Sequence, residues 1–407
     1  MARIVQKFGG SSLKDPKFID NAASIICQEA RCGNEVVAVV SAMGKTTDEL
    51  LNLADAVSNN PSLRELDMLL ASGEQISSAL MSLAIQKRGL TARAFTGIQA
   101  KILTDTNHGE ATIKEIETDS IEASLSRGEI AVVAGFQGTY ADSEITTLGR
   151  GGSDTTAVAL AYAIEAERCD IYTDVAGVYT GDPNIIQNSQ LIKAISYDEM
   201  YEMSISGAKV LNANSVELAK RYEVPVRVRS TFEPDNIGTL VTHKYFTKTR
   251  ALTNLSLDLN QALISLSFIG EAKSLEFISE LFTRLTELKI NVDMFMMLET
   301  EEFSGYELAF AINTKEISKL KNIINENSKT KQILKNFQIN EKLAKISLIG
   351  SQLNMRPEII SQLFDMVNLH NVKLHLVATS DLRVSFLIDR LKAKSLINKI
   401  HNKFFES

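Results

Sequence analysis

The chain has 407 residues, 44% hydrophobic and 23% charged, with a formal net charge of −7. That length allows two or three domains with sizeable cores, and the composition is that of a globular protein. It excludes the usual signatures of nucleic-acid binding, membrane spanning, secretion and zinc binding. No basic run suits a phosphate backbone, no stretch of 18 apolar residues predicts a span, no signal-peptide pattern opens the chain, and three cysteines lack a C-x-x-C pair.

In chain order, the strand-like run Ala2–Gln6 leads into Lys7-Phe8-Gly9-Gly10-Ser11-Ser12. A helix is predicted over 16–31, with Cys27 and Cys32 as small apolar groups on it. The β-branched run Val36–Val40 then meets Ser41-Ala42-Met43-Gly44, and helical patterns follow at 47–57, 64–88 and 111–126. Glu74 reads as the start of an apolar-periodic helix. After Ile130–Ala134 comes a second glycine-rich turn, Gly149-Arg150-Gly151-Gly152-Ser153-Asp154-Thr155-Thr156, and a helix over 154–166. Strands are predicted at Asp170–Thr173 and Val226–Val228, with a helix over 208–222 between them. Strand–helix alternation predicts a mainly parallel α/β sheet covered on both faces, with binding turns at the carboxyl ends of strands.

Eighteen of the 21 glycines lie at or before Gly238, and five of the six prolines precede residue 245. This shift predicts a boundary near 243–252. Beyond it a module repeats at an offset of roughly 80 residues. Ile264–Gly270, Ile278–Phe282, Ile290–Phe295 and Tyr306–Ile312 correspond to Ile346–Gly350, Ile360–Phe364, Val372–Val377 and Leu382–Ile388. Each copy reads strand–helix–strand–strand, and 313–343 between them reads as a polar helix or surface connection.

The two glycine turns carry the chemistry. Glycine lets backbone N–H groups approach an anion, and a helix N-terminus adds partial positive charge. Phosphoryl transfer needs positioned positive charge above all, and Lys7 stands where it can reach a β- or γ-phosphate. The plain alternative is a surface lysine before a tight turn. Arg150 suits a carboxylate or phosphate through its planar fork. Ser153 and Asp154 fall where an N-cap belongs, and capping alone would account for Asp154. Gly44-Lys45-Thr46 resembles the tail of a Walker A loop, but Val39 occupies the place of its leading glycine. The loop Tyr172–Pro183 reads either as a base-stacking, metal-phosphate loop or as an ordinary turn. The five histidines are scattered, with no nucleophile or metal partner nearby in sequence.

Seven motifs in order carry a family resemblance. They are Lys7–Ser12, Val40–Gly44, Ser72-Gly73-Glu74, Gly135-Phe136-Gln137-Gly138, Thr147–Thr156, Tyr172–Pro183 and Gly207-Ala208-Lys209-Val210-Leu211. Together they resemble aspartokinase of the single-function bacterial type, ending in two ACT modules. The resemblance implies an amino-acid-kinase catalytic domain over 1–243 and ACT modules over 252–328 and 343–407. It implies ATP-dependent phosphorylation of the L-aspartate side chain to 4-phospho-L-aspartate, with Mg²⁺ carried on the ATP phosphates. That step opens the pathway to lysine (through diaminopimelate), threonine and methionine, in the cytoplasm.

Carried over residue by residue, Lys7 and Lys209 contact the transferring phosphoryl group, and Asp154 orients Lys7. Arg150 holds the substrate α-carboxylate and Glu74 its α-amino group, while Ser41, Thr47 and Ser153 line the aspartate pocket. Phe8, Gly9, Gly10, Thr173, Asp174, Tyr179 and Asp182 join the lysines at ATP. Many relatives have arginine after the Asp-Pro pair, where this chain has Asn184. The family also implies a homodimer or higher homo-oligomer and a lysine or threonine effector at the ACT modules. Here, however, Gly270–Glu276 lacks the Asp-x-Pro-Gly turn, and Met297 stands where relatives often place glutamine. Feedback is therefore expected to be altered or absent, unless a different loop binds the same effector. Competing readings are a relative acting on glutamate, N-acetylglutamate or UMP, and a catalytically weak amino-acid sensor.

Overall fold

The computed structural model describes residues 1–141, 143–208, 210–243, 251–300, 305–326 and 333–406. Two compact units are present. The first comprises 1–179, 191–205 and 209–248, the second 180–190, 206–208 and 249–407. The expected division at 243–252 therefore leaves out two short segments, 180–190 and 206–208, that the second unit claims.

In the first unit, β1 (Arg3–Phe8), β2 (Glu35–Val40), β3 (Ala92–Phe95), β6 (Ile130–Ala134), β9 (Arg168–Thr173), β10 (Ala194–Ser196), β11 (Val226–Ser230) and β12 (Thr239–Thr242) form one sheet. Their order is β10-β12-β11-β9-β1-β2-β6-β3, and only the β11–β12 pair is antiparallel. The central strands are buried throughout β6 and at all but the first residue of β2, as expected of strands covered on both faces. One cover is α1 (Pro16–Arg31), whose limits are those predicted. Asp15 caps it, accepting from the Lys17 and Phe18 N–H groups at 2.9 and 3.1 Å, and Pro16 opens it. Its apolar face packs Ile19, Ala23, Ile26 and Cys27 beneath the sheet. Cys32 was expected to pack with Cys27; it lies past the helix end and is exposed.

A smaller sheet, which the sequence pattern did not reveal, has the order β5-β4-β7-β8 from Ile113–Ile116, Ile102–Thr104, Gln137–Tyr140 and Glu144–Thr147. The helix predicted over 111–126 is thereby corrected: Ile113–Ile116 is strand β5, paired antiparallel with β4, and only Asp119–Ser126 is helical. The helix predicted over 208–222 is Ala213–Arg221, capped by Asn212. Helix α3 (Leu63–Lys87) is long and apolar enough to cross a membrane by composition alone, but half of that window is buried in the fold.

The second unit holds a six-stranded antiparallel sheet of order β14-β15-β13-β16-β18-β17. These strands are Phe295–Thr300, Gly305–Asn313, Asn254–Phe268, Leu334–Ile349, Arg383–Asp389 and Leu374–Thr379. Two α+β modules share it by exchanging strands. The far half of β13 pairs with β15 and with 334–340 of β16, whereas its near half, 254–258, pairs with 345–349. The first module is then completed by residues 334–343, and the second by 254–258. The segment 313–343, read as a polar helix or surface connection, supplies a helix, α9 (Ile317–Glu326), and also that completing strand, which the reading lacked. The module limits 252–328 and 343–407 therefore keep β13 whole in the first module, although 254–258 pairs with the second, and cut β16 at residue 343. Each module keeps its own core, one around Phe268, Leu281, Phe310 and Leu320, the other around Ile346, Leu363, Phe386 and Ile397. On the sheet, fully buried Lys345 pairs with Asp293, which also takes Arg383 at 3.2 Å. Each buried charge thus has a counter-charge, the condition on which burial is tolerated.

Candidate active site

The carboxyl ends of β9, β1, β2 and β6 lie side by side, with Tyr172, Phe8, Val40 and Ala134 in register. The first glycine turn leaves β1 there. Gly9 N–H donates to the Tyr172 carbonyl at 3.3 Å, and the Phe8 ring stacks on Tyr172 with centroids 4.8 Å apart. The Ser41–Gly44 turn leaves β2 and is laced to the first. Ser41 N–H donates to the Phe8 carbonyl at 3.1 Å and Gly44 N–H to the Gly10 carbonyl at 3.0 Å. A Cβ at Gly10 would lie 2.9 Å from the Ala42 oxygen, so only glycine lets the two turns approach this closely.

Helix α3 delivers Glu74 to the same place. Glu74 was expected in a first helical turn; it lies mid-helix, so the helix dipole does not explain it. It is 3% exposed, and its Oε1 accepts from the Ala42 N–H at 2.9 Å. Oε2 is buried with no hydrogen-bond partner among the described residues. Burial pushes this carboxyl up to about 7. The preceding Gly73 makes the approach possible, since a Cβ there would stand 2.9 Å from the Ala42 Cβ. We therefore expect Gly73→Ala to push α3 from the turn, lower stability by about 2 kcal/mol and raise KM for the amino-acid substrate. Thermal melting and steady-state kinetics check both; an unchanged Tm would contradict this packing.

The second glycine turn enters through helix α5 (Gly152–Ala163). Its N-cap is Gly151 at φ +75, so Ser153 and Asp154 lie in the first turn and do not cap. Asp154 instead meets Lys7, with Nζ and Oδ1 2.5 Å apart and both side chains about nine-tenths buried. Ser153 packs on Gly135, whose absent Cβ would sit 2.9 Å from the Ser153 Cβ. Arg150 is exposed between Gly149 (φ +72) and Gly151, and its carbonyl accepts from Asn212 Nδ2 at 2.9 Å.

Lys7, Ser41, Glu74, Ser153 and Asp154 thus converge, with Thr47 half-buried in the first turn of α2 (Thr46–Val57). Thr173 ends β9 and its hydroxyl donates to Oδ1 of the next residue, Asp174, at 3.0 Å, and Tyr179 bridges to Leu191. Asp182 falls in the second unit, where its Oδ1 accepts from the Asn184 N–H and side-chain amide at 2.9 and 3.1 Å, a local turn. Lys209 lies outside the described residues. Sequence reasoning missed Asp67, a buried carboxylate on α3. Its signal was available: positions 67, 70, 74, 77 and 81 share one helical face, and two of them are acidic.

A mainly parallel sheet whose carboxyl-edge glycine turns hold a lysine–aspartate pair is the architecture of an amino acid kinase, and the profile of the amino acid kinase family matches residues 2–230. Among curated proteins, Aspartokinase 2 of Bacillus subtilis (strain 168) is 40% identical over 404 residues, covering 99% of this chain and 98% of that one. The aspartokinase of Corynebacterium glutamicum is 38% identical over 422 residues, covering 99% and 96%. Among solved structures, E. coli aspartokinase III with aspartate and ADP (R-state) superposes with a TM-score of 0.80 at 27% identity, covering 99% of both chains. The same enzyme with lysine and aspartate (T-state) gives 0.77. The chain belongs to the aspartokinases, enzymes that phosphorylate aspartate, with an amino-acid-kinase fold followed by paired ACT modules.

Proposed function

We propose that Lys7, Asp154 and Glu74 are the working centre of an ATP-dependent transfer to the aspartate β-carboxylate, giving 4-phospho-L-aspartate. The observation that carries this is the buried Lys7–Asp154 pair beside Glu74, at the edge where two glycine turns meet. The acceptor carboxylate is already ionised near neutral pH, so no general base is required. The difficulty is bringing one anion against another. Lys7, with the turn Phe8-Gly9-Gly10 as its backbone cradle, offsets that repulsion as charge spreads over the transferring group. Asp154 holds Lys7 in place, and by resemblance Lys209 is the second cation. Glu74 Oε2, buried and unpartnered, takes the substrate ammonium, Arg150 takes the α-carboxylate, and Ser41, Thr47 and Ser153 line the pocket.

Thr173, Asp174 and Tyr179 are the proposed nucleotide contacts. Asp182 is the weakest of that set, because its carboxylate is already engaged by Asn184. A Cβ at Gly9 would stand 3.5 Å from Lys7 Nζ, in the cradle a phosphate would fill. Mg²⁺ on ATP would supply further charge neutralisation when bound.

The proposed setting is cytoplasmic, as the first step towards lysine, threonine and methionine. A homo-oligomer, at least a dimer, is proposed through the ACT modules. Edge strand β14 leaves Phe295, Met296, Met297 and Leu298 between 37% and 52% exposed, an apolar edge that needs cover. Met297 on that strand and the turn at Gly270, without proline, underlie a reduced response to lysine or threonine. A hydroxamate assay tests these proposals together. Acyl-phosphate should form with L-aspartate, not with L-glutamate or without amino acid, and sub-millimolar lysine or threonine should leave it undiminished. No signal with aspartate sinks the catalytic reading; strong inhibition sinks only the regulatory one.

A further inference from the structure

Away from the reacting groups, one carboxylate in the first unit gathers every element behind the Arg150 turn. Asp67, on α3, is 1% exposed. Its Oδ2 lies 2.7 Å from His108 Nδ1, and both its oxygens accept from the Gly109 N–H at 3.1 Å. Its Oδ1 also accepts from the Thr147 hydroxyl at 2.5 Å. His108 Nε2 in turn sits 3.4 Å from the Tyr140 hydroxyl. A carboxylate so enclosed is costly unless its lone pairs are satisfied, and here three groups from two segments share that task.

Both segments abut the substrate turn. Thr147 ends β8, three residues before Arg150, and its carbonyl accepts from the Ala111 N–H at 2.8 Å. Gly149 rests directly on the 108–110 loop; a Cβ there would lie 3.3 Å from the Gly109 oxygen and 3.4 Å from Glu110 Cγ. The loop is braced internally, with Asp105 Oδ1 accepting from the Asn107 and Thr112 N–H groups at 3.2 Å. Asp67 therefore fixes both the strand that enters the turn and the loop on which the turn lies.

We infer that Asp67, through His108, Gly109 and Thr147, is a positioning residue that holds the Gly149–Gly151 turn so that Arg150 meets the amino-acid substrate. The inference rests on the proposed role of Arg150. A turn allowed to drift by an ångström loses substrate binding without losing the fold or the nucleotide site.

The test is a double-mutant cycle with steady-state kinetics. Asp67→Asn keeps the volume and removes the charge. It should raise KM for aspartate roughly tenfold while KM for ATP and kcat change less than about twofold. Arg150→Ala should raise KM for aspartate further, and adding Asp67→Asn to it should change nothing more, because both act through one contact. A merely structural Asp67 would lower Tm and disturb both substrates alike. If Arg150→Ala raises KM for aspartate but Asp67→Asn does not, or the two effects add, this inference is overturned. If Arg150→Ala leaves that KM unchanged, the Arg150 reading fails and takes the inference with it. Should Asp67→Asn not fold, Thr147→Val replaces it. It should raise the same KM, and Thr147→Ser, which keeps the hydroxyl, should restore it; equal constants for the two variants would overturn the inference.

Discussion

Lys7→Ala should lower kcat about a thousandfold and leave KM for aspartate within a few fold. The reason lies in where Lys7 sits. Its ammonium is nine-tenths buried at the edge of the sheet, held 2.5 Å from Asp154, in surroundings where water screens charge weakly. There a preorganised cation stabilises the transferring group far more than the same charge would in solvent. Removing it also leaves Asp154 buried without its counter-charge, which should cost about 3 kcal/mol of folding stability. The two effects separate in the pair Lys7→Ala/Asp154→Asn, which should regain most of the lost stability and none of the activity. Denaturant melts and initial rates on the three variants decide it. A Lys7→Ala enzyme retaining more than about a tenth of wild-type kcat would remove Lys7 from the chemistry.

The pair itself was only half legible in the sequence. Each glycine turn announces an anion site through its composition, and the strand-like run Ala2–Gln6 places the first of them at a strand end. That Asp154 faces Lys7, however, depends on β1 and α5 packing together across some 140 residues, and local pattern does not encode such a meeting. Asp154 looked like a cap because caps and first-turn residues are neighbours in sequence; the positive φ of Gly151 moves the cap three residues earlier. The exchanged strands were hidden for a related reason. Residues 254–258 are joined to 345–349 by strand register, whereas the repeat was recognised by apolar spacing, which is the same whichever module a strand completes. Glu74 was misplaced because α3 buries Ser77, Ser78 and Ser82 on the face where apolar periodicity was sought.

Glu74 makes the second large prediction, through pH. Burial raises its carboxyl from an ordinary 4.5 to about 7, and the Ala42 N–H bond only partly opposes that rise. The unfolded chain sheds this proton near the ordinary value and the folded chain near 7. Between those points the folded state binds more protons, so ligand-free stability falls as pH rises through the window and levels above it. The loss is roughly 3 kcal/mol. Glu74→Gln, which has no proton to lose, should remove that slope. Substrate binding should run the other way. A neutral Glu74 cannot pair with an ammonium, so KM for aspartate should climb as pH falls below about 7, approaching tenfold per pH unit, and should be flat above it. In Glu74→Gln the same constant should be flat across the range and, at pH 8, higher than wild type by about thirtyfold, the consequence of losing one partner of a buried charge pair. Steady-state titrations of aspartate from ~pH 6 to ~pH 8 read this directly. A wild-type KM for aspartate that does not move over that range would mean that Glu74 either stays ionised or does not meet the substrate. The Glu74→Gln profile separates those two outcomes, since only an ionised, engaged carboxylate makes the substitution costly at every pH.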